Sequence, residues 1–159
     1  AFLCRQTNFI HKVVSFNIPV NIKKGQFLSP WEMKSVVEKA KSTGNENILV
    51  CERGFSFGYN NLISDMRSLV IMRDTNCPVV FDATHSTQLP GLNKDSSSGQ
   101  SEFIAPLSRA AISVGISGIF METHPNPKEA LCDGMNSLPL NTLEKLLVNL
   151  KTIDEAVKE

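Results

Sequence analysis

The chain has 159 residues, with 16 lysines and arginines balanced by 16 aspartates and glutamates, and 42% of it is hydrophobic. That balance excludes a strongly basic nucleic-acid binder and describes an ordinary soluble domain. No apolar run approaches the roughly 18 residues of a membrane span, and the opening AFLCRQTNFI lacks a signal peptide's order of basic, apolar and small residues, so a cytoplasmic protein without nucleic-acid or membrane partners is expected.

In chain order, a helix is expected from about Gln6 to Ser15, then a strand from Val20 to Lys23. Ser29-Pro30-Trp31-Glu32 is a capping box with proline at the first helical position; apolar Met33, Val36, Val37 and Ala40 follow at helical spacing, and Gly44 is the stop. Strands are predicted at Ile48 to Glu52, Val79 to Asp82 and Gly118 to Glu122, rich in β-branched residues. Helices are predicted at Leu62 to Arg73 and Phe103 to Val114. A last helix is announced by Asn141-Thr-Leu-Glu144, with Leu143, Leu146, Leu147, Leu150, Ile153 and Val157 forming one apolar face. The polar, glycine- and serine-rich segment from Gln88 to Gln100 reads as a mobile loop. Cys4, Cys51, Cys77 and Cys132 form no Cys-x-x-Cys pair, which fits reduced packing residues rather than a zinc knuckle or a disulfide framework.

Apolar strands alternating with amphipathic helices mean an α/β fold with a parallel sheet. Four such units make either half of an eight-stranded barrel or a small open sheet, and 159 residues fall short of the roughly 250 of a whole barrel. The start in AFLCRQT, with neither methionine nor a preceding strand, favours a half: one partial barrel domain over 1–159. A free half would leave two unpaired edges, an aggregation hazard.

The polar residues fall at the strand ends: Lys23, Glu52 and Arg53, Asp82 and His85, then Glu122 and His124. In parallel α/β folds that mouth carries the chemistry, and four strands delivering ionisable groups to one rim are explained by a site more simply than by coincidence. The Arg53 guanidinium matches phosphate or carboxylate geometry; the competing reading is an arginine tied to a neighbouring acid. Lys23 and Arg53 suit a compact multivalent anion, while His85, Glu122 and Asp133 suit either a divalent metal or acid and base work. Lys24, beside Lys23, reads as a solvated surface lysine; His11 as structural; Asp82 as orienting a neighbour; Asp133-Gly134 as a turn. Glu122 and His124 share one face of an extended strand and can bond each other.

AFLCRQT, VNIKKGQFLSP, CERGFSFGYNNL, VVFDATHSTQLPG, GIFMETHPNPKEALCDG and SLPL, in that order, resemble the 3-deoxy-D-manno-octulosonate 8-phosphate synthases. The resemblance covers the whole chain. It implies a (β/α)8 barrel of the class I heptulosonate phosphate synthase type, a cytoplasmic homotetramer of lipopolysaccharide biosynthesis, and condensation of phosphoenolpyruvate with arabinose 5-phosphate and water, releasing phosphate. It implies that Lys23 and Arg53 hold the phosphate and carboxylate of phosphoenolpyruvate, that the backbone near Ala1 helps to seat it, and that Arg5 reaches the sugar phosphate bound in an adjacent subunit. In the family's metal-using members His85, Glu122 and Asp133 would be joined by a cysteine from the first strand; members with asparagine there work without metal. That strand, and the Lys-Ala-Asn-Arg-Ser segment that grips both substrates, would precede this chain, which is then inactive unless they are supplied. The alternatives are a heptulosonate phosphate synthase using erythrose 4-phosphate, against which LCRQT and CDG argue, and a non-catalytic half-barrel that only binds.

Overall fold

The protein folds by alternating short β-branched runs with helices that bury a single stripe, and the computed structural model describes residues 1–91 and 98–158. Helix α1 spans Thr7–Val14, strand β1 Val20–Lys23, α2 Met33–Lys41 and β2 Ile48–Glu52; β3 (Phe55–Ser56) and β4 (Leu62–Ile63) form a small ladder before α3, Arg67–Ile71. Next come β5 (Val79–Asp82), β6 (Gln88–Leu89), β7 (Ser98–Gly99), α4 (Ile104–Ser113) and β8 (Gly118–Phe120). The chain closes with β9 (Thr123–His124), β10 (Leu138–Pro139) and the long α5, Leu140–Val157. The main sheet runs β1-β2-β5-β8 with every pair parallel. The fold is therefore α/β, with all four strand C-termini at one edge.

The helices cover the sheet as their spacing requires. Met33, Val36, Val37 and Ala40 of α2 are all buried, and the Glu32 carboxylate accepts from the Ser29 backbone N–H at 2.8 Å, completing the predicted capping box. Val50 and Phe81 are fully buried at the centre of the sheet, and with Met33, Leu69 and Ile104 they join one continuous core. Cys4, Cys51 and Cys77 are packed inside, and Cys132 is exposed. Burial pushes the Cys51 thiol up to about 12, which keeps it protonated and inert.

The structure corrects several boundaries. The expected helix at Leu62 to Arg73 begins as β4, and its helical part is only α3 followed by a 3₁₀ turn over Met72–Thr75. Leu62 and Ile63 pair with Ser56 and Phe55, so tertiary pairing overrides local helical spacing. The strand expected to reach Glu122 stops at Phe120. Helix α5 starts at Leu140, before the predicted cap, with no side-chain cap bond; only Leu146 and Leu150 are fully buried, while Leu143 and Ile153 pack partly and Leu147 and Val157 lie exposed. The loop expected over 88–100 begins and ends in the antiparallel β6–β7 ladder, and its residues 92–97 lie outside the described residues. Among the described residues no helix is long and apolar enough to cross a membrane.

Candidate active site

Parallel pairing brings Lys23, Glu52, Asp82 and Phe120 to the same rim as the last residues of their strands. The Lys23 ammonium lies 2.6 Å from Asp82 Oδ2 and 3.6 Å from the centre of the Phe120 ring. Lys23 and Phe120 come from the two edges of the sheet, about 14 Å apart if the sheet were flat. Their side chains nonetheless meet at the rim.

Asp82 is the hub of this rim. It is completely buried, and its Oδ1 accepts from the Thr84 N–H (3.2 Å), the Thr84 hydroxyl (3.1 Å) and the His85 N–H (2.9 Å). Its Oδ2 takes Lys23 Nζ and lies 2.8 Å from His85 Nδ1. An ionised carboxylate only accepts, so this contact puts a proton on Nδ1; in the neutral ring the lone pair then lies on Nε2. Lys23 Nζ, 3.5 Å from His85 Nδ1, is then a second donor to the same oxygen rather than a partner of the ring. Burial works to raise the Asp82 pKa, but the His85 and Lys23 hydrogen bonds and charges outweigh it and hold the group at about 2.

Arg53 leaves β2 at a glycine turn and folds its side chain inward, 5% exposed. Nη2 donates to the His85 carbonyl at 3.1 Å and to Gln88 Oε1, and Gln88 Nε2 passes the connection on to Asp133 Oδ1 at 3.0 Å. Among the described residues the other guanidinium N–H groups make no bond. Burial lowers the Arg53 pKa, with the Asp82, Glu52 and Asp133 charges opposing. Gly54, at φ +93°, makes the turn that releases Arg53 from the strand. A Cβ there meets Leu62 at 3.4 Å in a backbone region that costs an L-residue about 1–2 kcal/mol, so Gly54→Ala is expected to lower the urea unfolding free energy by about that amount.

The remaining predicted residues divide. Asp133 joins the rim through Gln88 and stands with Oδ2 at 4.0 Å from His85 Nε2. Ala1 lines a cavity of about 340 Å³ that Lys23 also borders. Arg5 is exposed on the first 3₁₀ turn, near Glu32. Glu122 is held by its backbone N–H to the Thr84 hydroxyl at 3.1 Å, and its strand breaks beside it; His124 bonds Asn126 instead, so the two do not pair. Among the described residues no three His, Cys, Asp or Glu side chains are gathered to hold a metal ion. His85 Nε2 and Asp133 Oδ2 offer two donors, and Glu122 is not gathered with them, so the predicted trio does not fit a cation as it stands.

Two residues were misread or missed. Lys24 is 1% exposed and paired at 3.3 Å with Glu52, itself 2% exposed, not solvated at a surface. Strand alternation, which puts Lys23 and Lys24 on opposite faces, was the signal for it. Gln88, which joins Arg53 to Asp133, carried no such signal, because its role depends on contacts far apart in sequence.

The family profile described as "DAHP synthetase I family" matches residues 1–159. The chain is similar to the 2-dehydro-3-deoxyphosphooctonate aldolase of Legionella pneumophila, with 69% identity over 159 residues, covering 100% of this chain and 58% of the relative. It is 66% identical to the protein of the same name from Stenotrophomonas maltophilia over the same shares, and 66% identical to that of Francisella tularensis subsp. mediasiatica over 99% of this chain and 58% of the relative. The chain thus spans 58% of the length of these curated relatives.

Proposed function

The chain belongs to the DAHP synthetase I family, and on that premise we propose that residues 1–159 are one partial domain, the C-terminal half of a (β/α)8 barrel. The complete enzyme condenses phosphoenolpyruvate with D-arabinose 5-phosphate and water to 3-deoxy-D-manno-octulosonate 8-phosphate and inorganic phosphate, as a cytoplasmic homotetramer serving lipopolysaccharide biosynthesis. The observation that carries the reading is the convergence of two cations, Lys23 and Arg53, with the Asp82-bound imidazole of His85 at one rim of a parallel sheet.

In this reading Lys23 and the uncommitted N–H groups of Arg53 hold the phosphate and carboxylate of phosphoenolpyruvate, and the backbone near Ala1 helps to seat it. Arg5, which is exposed, reaches the sugar phosphate of an adjacent subunit. The enol carbon attacks the sugar aldehyde, leaving positive charge at the pyruvyl carbon; water adds there, and the hemiketal phosphate collapses by C–O cleavage to the keto acid and phosphate. Fixing both anions supplies proximity, and His85 Nε2, its lone pair assigned by Asp82, takes the proton of the adding water.

Phosphate release by the intact protein, purified from its own cell, tests the proposal. Release that requires phosphoenolpyruvate and arabinose 5-phosphate together is expected. Equal release with erythrose 4-phosphate would move the assignment to the heptulosonate reaction, and release with neither sugar would leave a binding module.

A further inference from the structure

The turn that presents Arg53 is held from beneath by an ion pair that touches no candidate ligand atom. Glu52, the last residue of β2, turns its carboxylate back onto the chain: Oε1 accepts the Arg53 N–H at 2.9 Å and the Gly54 N–H at 2.7 Å. The Lys24 ammonium sits 3.3 Å from that same oxygen, and lies within reach of three carbonyl oxygens, of Gly25 (3.4 Å), Leu28 (3.2 Å) and Gly54 (3.4 Å). These carbonyls belong to the two segments that follow β1 and β2, so one buried cation ties both loops together.

Lys23 and Lys24 are adjacent at the end of β1 and point to opposite sides. One faces the mouth and meets Asp82; the other goes under it and meets Glu52. Glu52 and Arg53 repeat the division at the end of β2, with Glu52 below and the guanidinium at the mouth. The lower pair is therefore coupled through single backbone links to the two cations of the upper site. Two charges this deeply buried are costly unless each is compensated, and here they compensate one another while also satisfying two backbone N–H groups and three carbonyls. Within the pair, Oε2 of Glu52 has no partner among the described residues.

We propose that Lys24 and Glu52 are positioning residues that set the spacing between Lys23 and Arg53 and so tune the anion site for phosphoenolpyruvate. The inference rests on the proposed function. A purely structural pair would lose its effect on ligand once stability is restored; a positioning pair would not.

The experiment compares the intact protein with Lys24→Met, Glu52→Gln and the double variant, measuring melting temperature, inorganic phosphate affinity, and kcat and KM for phosphoenolpyruvate. Each single change strands one buried charge and lowers the melting temperature, and the double change, which removes both charges, recovers most of the loss. In the double variant KM for phosphoenolpyruvate rises about tenfold or more, phosphate binding weakens in parallel, and kcat changes less, because a displaced cation costs positioning. Should the double variant fail to fold, Lys24→Met alone gives the readout, since it removes the cation that ties the two loops while Glu52 Oε1 keeps both backbone N–H bonds. A folded variant with the parent's KM and phosphate affinity would overturn the inference. Phosphate binding by the unmodified protein separates the two failures: none there removes the anion site itself and the inference with it, whereas equal binding by parent and variants leaves the site and removes the staple.

Discussion

Asp82→Asn in the intact protein is expected to lower kcat by about a hundred- to a thousandfold, the usual loss when acid–base assistance fails. The carboxylate does two things that an amide cannot. Its Oδ2 neutralises Lys23 at 2.6 Å, and the same oxygen holds the proton on His85 Nδ1 at 2.8 Å. An asparagine that turns its NH₂ toward the ring forces the other tautomer and puts a hydrogen on Nε2, where the proposed reaction needs a lone pair. Thr84 and His85 N–H would still find an acceptor in the amide oxygen, so the local turn survives. A kcat within about threefold of the parent's would show that the His85 tautomer is unimportant. The same change alters acid stability in a defined direction. Asp82 is held at about 2, below its ordinary value of 3.8, so its contribution is fully present above about pH 4 and is lost as pH falls toward 2. That difference corresponds to about 2 kcal/mol. Urea unfolding should therefore show the parent's advantage over the variant shrinking by about that amount between about pH 5 and about pH 2.

The sheet was legible in the sequence because burial on both faces leaves a signal that needs no partner. Ile48 to Glu52 and Val79 to Asp82 are continuous apolar runs, and both strands have the predicted bounds. Weakly marked elements were set by partners distant in sequence. Leu62 and Ile63 read as the start of a helix and became a strand because Phe55 and Ser56 lie alongside them. Strand β8 stops at Phe120, beyond which the Glu122 N–H is taken by the Thr84 hydroxyl rather than by a strand carbonyl. At the rim, residue types and strand-end positions pointed to Lys23, Arg53, Asp82 and His85, and the structure brings these four together. Their internal wiring was not legible. Asp82 as the common acceptor, Gln88 as the bridge to Asp133, and Lys24 as a buried counter-ion all depend on side-chain directions that a one-dimensional pattern does not carry. The metal trio shows the same limit, since His85 and Asp133 approach each other while Glu122 is not gathered with them among the described residues.

Arg53→Lys is the other substitution with a large expected effect: kcat/KM for phosphoenolpyruvate should fall by about a hundred- to a thousandfold, mostly through KM. The guanidinium spends Nη2 on the His85 carbonyl and Gln88 Oε1 and keeps its other N–H groups for ligand. An ammonium at this depth has three donors and no fork, so it either satisfies those two acceptors or meets the anion. Choosing the anion frees Gln88, and with it the Gln88 to Asp133 bond at 3.0 Å, so the loss spreads to the carboxylate facing His85. Burial adds a pH signature. It lowers the Arg53 pKa, but a guanidinium stays charged at any working pH, whereas a lysine in the same enclosure is pushed toward the working range. The variant's cation is present below its folded pKa and lost above it, so its KM should improve as pH is lowered from about 9 to about 7 while the parent's stays flat. A variant with the parent's KM and no such slope would return Arg53 to the competing reading of an arginine held only by its acidic neighbours, and would take the anion site with it.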